Sequence, residues 1–222
     1  LKHVGIFVPA RLSSQRLPNK QTLPIGDTCM FEICCKKLDY IKSYYGLNTY
    51  VLVCDKELID IAKKYPNVQI IIRHPATAEA ETPLRFIFKD ILGVPEKYLM
   101  FLNPCLIFLT PQTIISSIGQ FLASKKEYGT SVKRFQNWLW DKDINVKTDI
   151  DYQKLTTKEI DPLYQAAHCF HIFNKELFKL DGYMLKDDLA LIEIPEEQTI
   201  DIDTKEDYEY AKFKYETSKV HF

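Results

Sequence analysis

Arg11, Ser13, Ser14, Arg16 and Lys20 fall within residues 9–20, P-A-R-L-S-S-Q-R-L-P-N-K, directly after an apolar run at residues 4–8. Three cations and two hydroxyls in one short loop are suited to holding a polyphosphate. Fixed positive charges repel at close range, so their clustering is tolerable mainly where an anion docks. The loop carries neither the G-x-G-x-x-G of dinucleotide-binding turns nor the G-K-[ST] of a P-loop. Side chains, more than backbone amides, would therefore hold the phosphates. The plainer alternative, taken on the loop alone, is a solvated basic turn.

The second constellation is T-I-D-I-D-T-K-E-D at residues 199–207. Side chains alternate in an extended segment, so Asp201 and Asp203 share one face about 6–7 Å apart while Ile200 and Ile202 turn to the core. Two carboxylates so placed can bracket Mg²⁺ directly or through its waters, because Mg²⁺ is commonly held by one or two carboxylates together with substrate phosphates. Thr204 and Asp207 have the spacing of a helix cap. The plainer alternative leaves Asp201 solvated and uses Asp203 and Thr204 only to start that helix. His168 and His171 read as sharing one face of a strand. With no third ligand at matching spacing, they are expected to be polar pocket or core groups, not a metal site. No serine or cysteine has the setting of a nucleophile, so no covalent intermediate is expected.

These side chains need a frame. Apolar runs at residues 4–8, 49–54, 68–72 and 98–102 read as strands, and the helical spacing of Phe31, Cys35, Leu38, Ile41 and Tyr45 falls between the first two. Asp55 is placed to cap a helix ending before Pro66, Thr82-Pro83 to open one that Gly93 ends, and Thr110-Pro111 to open one through Leu122. Strands without polar alternation are buried on both faces, which predicts a doubly wound α/β layout with a mainly parallel sheet. Ligands collect at the carboxyl ends of such strands, where the basic loop lies. Residues 130–134, 168–173 and 189–194 read as further strands, with a helix from Lys175.

The 222 residues suit one domain, 1–222, with a protruding hairpin or arm at 135–160 that carries Trp138 and Trp140. Exposed tryptophans on an arm often mark a subunit contact, and a homodimer is expected. A net charge of −1 gives no footprint for nucleic acid, and no run approaches the length of a membrane span. The six cysteines sit mostly inside apolar runs, with no C-x-x-C pair. Reduced core thiols and a cytoplasmic location follow as expectations.

Together, P-A-R-x-x-S-x-R-L-P-x-K after the first strand and I-D-I-D-T-x-x-D before the last helix resemble the cytidylyltransferases that activate acidic sugars. These are the CMP-sialic acid (acylneuraminate) synthetases and their relatives for KDO, pseudaminic and legionaminic acid. R-H-P at residues 73–75, Asn103-Pro104 and A-H-C-F-H-I-F at residues 167–173 match more weakly. The resemblance implies a three-layer, Rossmann-like nucleotide-diphospho-sugar transferase fold with a dimerisation arm. It implies that Arg11 and Lys20 bind CTP phosphates, assisted by Ser14 and Arg16; Ser13 and Gln21 are further candidate substrate-binding residues. Asp201 and Asp203 would hold a catalytic Mg²⁺, Arg73 would lie near the cytidine, and Asn103 near the sugar; beside these, His168 and His171 are candidate substrate-binding residues on their own account.

Three departures stand out. Gln21 follows the loop lysine where the family often has Asn. Asn103 takes the place of a sugar-contacting glutamine, and Cys105 that of the metal-binding aspartate of the KDO branch. The implied reaction is attack by a sugar hydroxyl on the α-phosphate of CTP, releasing pyrophosphate. The same chemistry on a sugar phosphate, phosphonate or other small acid, or a degenerate nucleotide-binding relative, are the alternatives.

Overall fold

The computed structural model describes residues 1–217 apart from Ala80, Asp149, Asp151, Tyr152 and Leu155. Strand β1 (Val4–Pro9) runs into the basic loop, which returns through a small hairpin of β2 (Pro24–Ile25) and β3 (Thr28–Cys29) to helix α1 (Met30–Tyr45). Then come β4 (Thr49–Val53), α2 (Lys56–Ala62), β5 (Gln69–Ile72) and the single turn α3 (Leu84–Ile87). The second half adds β6 (Tyr98–Leu102), α4 (Pro111–Ser124), β7 (Tyr128–Phe135), β8 (Leu163–Asn174), α5 (Lys175–Asp181), β9 (Ala190–Glu193) and α6 (Lys205–Thr217).

Seven strands form one sheet in the order β5-β4-β1-β6-β8-β7-β9. Neighbours pair in parallel except β8, which is antiparallel to both β6 and β7. Alternation along β1 sends Ile6 and Val8 into a core with Phe31, Leu38, Ile118 and Phe121 on one side of the sheet. On the other side Phe7 joins Phe88, Phe173 and Phe178. Each such burial is worth about 1.5–3 kcal/mol. Covering both faces produces the three-layer α/β arrangement expected from the unbroken apolar strands. A third cluster joins Ile25 and Met30 to Ile202, Tyr208 and Ala211, and so docks α6 beside the loop that follows β1.

Some local expectations fail for identifiable reasons. The helix expected from Thr82-Pro83 to Gly93 is only one turn. The Thr82 hydroxyl donates to Ala76 O (3.0 Å) and does not cap, and the chain then bends so that Phe88 meets Phe7 edge-on at 4.8 Å. Asp55 stands at the start of α2, but its carboxylate makes no cap; it accepts from Leu12 N at 3.1 Å and so pins the basic loop. Thr110 does cap α4, accepting from Thr113 N at 3.1 Å. Between β7 and β8 the chain leaves the sheet, with an antiparallel bridge between Trp140 and Val146. Part of the predicted 135–160 arm lies outside the described residues.

Candidate active site

The loop after β1 and the segment before α6 meet at the carboxyl end of the sheet. Lys20, at the head of a short 3-10 turn, donates to Ile202 O (3.1 Å) and to Asp203 Oδ1 (2.8 Å). Arg16 reaches the other oxygen of the same carboxylate at 2.8 Å. Arg11 turns the opposite way and donates to Ala78 O at 2.5 Å, with the Ser13 hydroxyl at 3.5 Å from that carbonyl. A cavity of about 460 Å³ separates these two anchor points, and Arg11, Ser14, Arg16, Lys20, Gln21, Asn103 and Asp203 all line it. An adjoining cavity of about 170 Å³ lies between Arg11, Arg73, Thr77 and Phe101.

The carboxylate half is set by local rules. Ile202 is fully buried, which fixes Asp201 and Asp203 on the opposite face of the extended segment. Thr204 and Asp207 cap α6 reciprocally: Asp207 N donates to Thr204 Oγ1 at 3.2 Å, and Thr204 N donates to Asp207 Oδ2 at 2.8 Å. Burial, and then the nearby Asp203 charge, hold the Asp201 carboxyl above its ordinary pKa. Burial works against the charge of Lys20, but Cys105 and Asp203 outweigh it and raise that group.

Among the described residues, four buried side-chain polar atoms lack a hydrogen-bond partner: Gln21 Oε1, Arg73 Nε, Asp201 Oδ1 and Trp138 Nε1. Three of these belong to residues implicated from the sequence. Buried polar groups are nearly always paired, and Gln21 and Arg73 line the two adjoining cavities while Asp201 lies two residues before Asp203, so these orphans mark where a ligand would supply partners. Arg73 is otherwise fixed, donating to Thr77 O (2.8 Å) and Ala10 O (3.0 Å), and burial lowers its pKa.

Asn103 bridges the sheet to the carboxylates. Its Nδ2 donates to His168 O (3.2 Å) and lies 3.4 Å from Asp201 Oδ2, while its Oδ1 accepts from Cys105 N (3.0 Å). The histidines fare differently from one another. Residues three apart on a regular strand face opposite ways, but the β7–β8 register shifts between Thr130 and Val132, and His168 adopts φ 54°. That bulge leaves His168 exposed and its ring 6.5 Å from that of His171. His171 is buried and hydrogen-bonded to Thr130 Oγ1 at 2.9 Å, and burial followed by the His168 charge lowers its pKa to about 4. This is a core position, in keeping with the polar pocket or core reading of the two histidines, and it leaves His168 as the one of the pair open to the surface.

Two supporting residues, Ser131 and Lys37, escaped the sequence reading. Ser131 builds the bulge, its hydroxyl accepting from Cys169 N (2.9 Å) and Phe170 N (3.1 Å). A serine in a β-rich run carries no signal of that role. Ser131→Ala orphans two buried amides and should cost about 1–3 kcal/mol in urea denaturation. An unchanged unfolding midpoint would show that the hydroxyl does not hold the bulge. Lys37 is buried and donates to Leu106 O (3.2 Å) and Ile107 O (2.5 Å), fixing the segment that follows Asn103. Its position on the apolar stripe of α1, three residues after Cys34 and four before Ile41, was a readable sign. Cys105 is buried beside Lys20, and burial pushes its thiol up to about 11.

A family model described as cytidylyltransferase matches residues 5–216. No curated protein matches the sequence. Among solved structures, a CMP:2-keto-3-deoxy-manno-octonic acid synthetase complexed with CTP superposes with a TM-score of 0.66 at 12% identity, covering 95% of this chain and 97% of that one. A 4-diphosphocytidyl-2C-methyl-D-erythritol synthase from Anaerococcus prevotii DSM 20548 gives 0.65 at 14% identity, with 96% of each chain covered. A cytidylyltransferase from Leptospira borgpetersenii serovar Hardjo-bovis (strain JB197) gives 0.59 at 21% identity, covering 95% of this chain and 85% of that one. At such identities the likeness speaks to the fold. The family match runs from the first strand to the last helix and takes in both the basic loop and the paired aspartates; the chain belongs to the cytidylyltransferase family.

Proposed function

We propose that this protein transfers the cytidylyl group of CTP to a hydroxyl of an acidic sugar of the sialic acid, legionaminic, pseudaminic or KDO kind, releasing pyrophosphate. The observation that carries this reading is the direct meeting of Lys20 and Arg16 with Asp203 in the wall of a cavity that Arg11 also lines. Cations suited to phosphate and a carboxylate suited to metal thereby lie together, though they come from opposite ends of the chain.

Arg11, Arg16 and Lys20, with Ser13 and Ser14, would hold the triphosphate and offset charge on the departing pyrophosphate. In-line displacement at phosphorus needs alignment and charge neutralisation more than covalent help. Arg73 and the adjoining cavity would seat the cytosine. Gln21, Asn103 and the exposed His168 would position the acceptor.

Asp201 and Asp203 fit Mg²⁺. Their oxygens are hard donors, and one of them, Asp201 Oδ1, is buried without a partner. Among the described residues no group of three or more His, Cys, Asp or Glu converges, so nucleotide and water would complete the shell. When bound, the ion would neutralise charge at the reacting phosphate.

Trp140, Ile144 and Val146 are exposed in the segment between β7 and β8, which supports a contact with a second copy there. Five of the six cysteines are buried and all are free, which suits a reducing cytoplasm. The test is pyrophosphate release from each of the four common NTPs with Mg²⁺ against a panel of acidic sugars, sugar phosphates and phosphonates. Turnover of CTP with an acidic sugar is expected. Preference for another NTP or another acceptor class would overturn the assignment, and binding without turnover would identify a degenerate relative.

A further inference from the structure

Asp203 is committed on both sides: Oδ1 takes Lys20 and Oδ2 takes Arg16, each at 2.8 Å. Asp201, its partner in the carboxylate pair, has a bare buried Oδ1. The four charged groups, Asp201, Asp203, Arg16 and Lys20, are two negative and two positive, so the cluster is electrically balanced as it stands. Neither cation has a second carboxylate in ion-pairing range among the described residues. A divalent cation arriving alone would have to evict both positive charges from Asp203 and leave them facing it. A triphosphate arriving alone would take up the cations and strand two aspartates against its own charge. Arriving together, every displaced group meets an opposite charge.

The two cations are not equivalent. Lys20 is half-buried and has a second anchor in Ile202 O. The Arg16 side chain is 67% exposed and sits at the tip of the loop, so it is the one that can swing away. We propose that Arg16 makes metal binding conditional on nucleotide: paired with Asp203 it keeps divalent ions off the carboxylate pair, and the triphosphate draws it aside. This rests on the reading of the cavity as a CTP·Mg²⁺ site. By linkage, metal and nucleotide must then strengthen each other's binding by the same factor.

The test titrates Mn²⁺, followed by the free-ion EPR signal, into the full chain without nucleotide, using wild type, Arg16→Gln, Arg16→Lys and Asp203→Asn. Wild type should bind Mn²⁺ weakly. Arg16→Gln should bind it about tenfold more tightly, because an exposed ion pair is weak to begin with and a like charge beside the dication is removed. Arg16→Lys should behave as wild type, and Asp203→Asn should lose binding in every background.

Equilibrium dialysis of CTP in EDTA and in Mn²⁺ supplies the reciprocal arm. Wild type should retain CTP at least tenfold better with the metal, and Arg16→Gln should show a smaller ratio. A Mn²⁺ affinity for Arg16→Gln within twofold of wild type, or no measurable binding by that variant, overturns the proposal. Failure of wild type to retain CTP even with Mn²⁺ would instead sink the nucleotide reading, while the nucleotide-free comparison still decides the role of Arg16.

Discussion

Asp201→Asn and Asp203→Asn are each expected to lower the rate of cytidylyl transfer by about 10²–10³-fold, the scale of losing one preorganised electrostatic stabiliser. The two variants should differ in stability. Asp201 is partly buried, has one oxygen without a partner, and is held above its usual pKa by burial and by Asp203. Neutralising it relieves that burden, so Asp201→Asn should melt at or above the wild-type temperature while losing activity. Such a trade is expected where a site is kept at the expense of the fold. Asp203→Asn instead removes the carboxylate that orders Lys20 and Arg16, and its CTP affinity should change as well. Single-turnover rates at saturating CTP, paired with thermal melts, separate the two. Near-normal turnover in both variants would remove the carboxylates from the chemistry.

Acidification should expose His171. Burial, with a smaller contribution from His168, lowers its pKa from an ordinary 6.5 to about 4. Between those values the unfolded chain takes up a proton that the folded chain refuses, so stability present above pH 6.5 is lost as the pH falls towards 4. A gap of that size corresponds to about 3 kcal/mol. Urea midpoints at pH 7 and pH 4.5, compared between wild type and His171→Asn, isolate this contribution from that of the carboxylates. The variant should show a much shallower pH dependence. Equal slopes would mean that the ring takes up its proton without unfolding.

The parts of this fold that were readable are those governed by short-range rules. Residues 98–102 are a strand as expected because Y-L-M-F-L is buried on both faces, and Thr110 caps α4 because both of its hydroxyl contacts, to Thr113 N and Thr113 Oγ1, lie within the first turn it opens. The basic loop and the alternation of Asp201 with Ile202 were legible for the same reason: polar groups at fixed intervals beside apolar runs. Thr82-Pro83 carried an equally good cap signal but lost its hydroxyl to Ala76 O, a contact that depends on how the preceding turn folds. The reversed direction of β8 leaves no trace in periodicity, since a buried strand looks the same either way. The left-handed His168 and the Ser131 hydroxyl beneath it depend on pairing across β7 and β8, which a single strand's pattern does not encode.

The ion pair between Lys20 and Asp203 spans 183 residues of sequence, and the Tyr208 hydroxyl bonds Pro24 O across 184. Contacts so distant along the chain form late, because the entropy of closing the loop must be met before they contribute. During synthesis β1, β4, β5 and β6 can assemble on the ribosome well before α6 emerges. A nascent chain at that stage has the basic loop but nothing to neutralise it. Metal-dependent retention of nucleotide, which the proposed site draws from Asp201 and Asp203, should therefore report on the last segment having docked, and the onset of Mn²⁺-dependent CTP binding during translation would time the final step of folding.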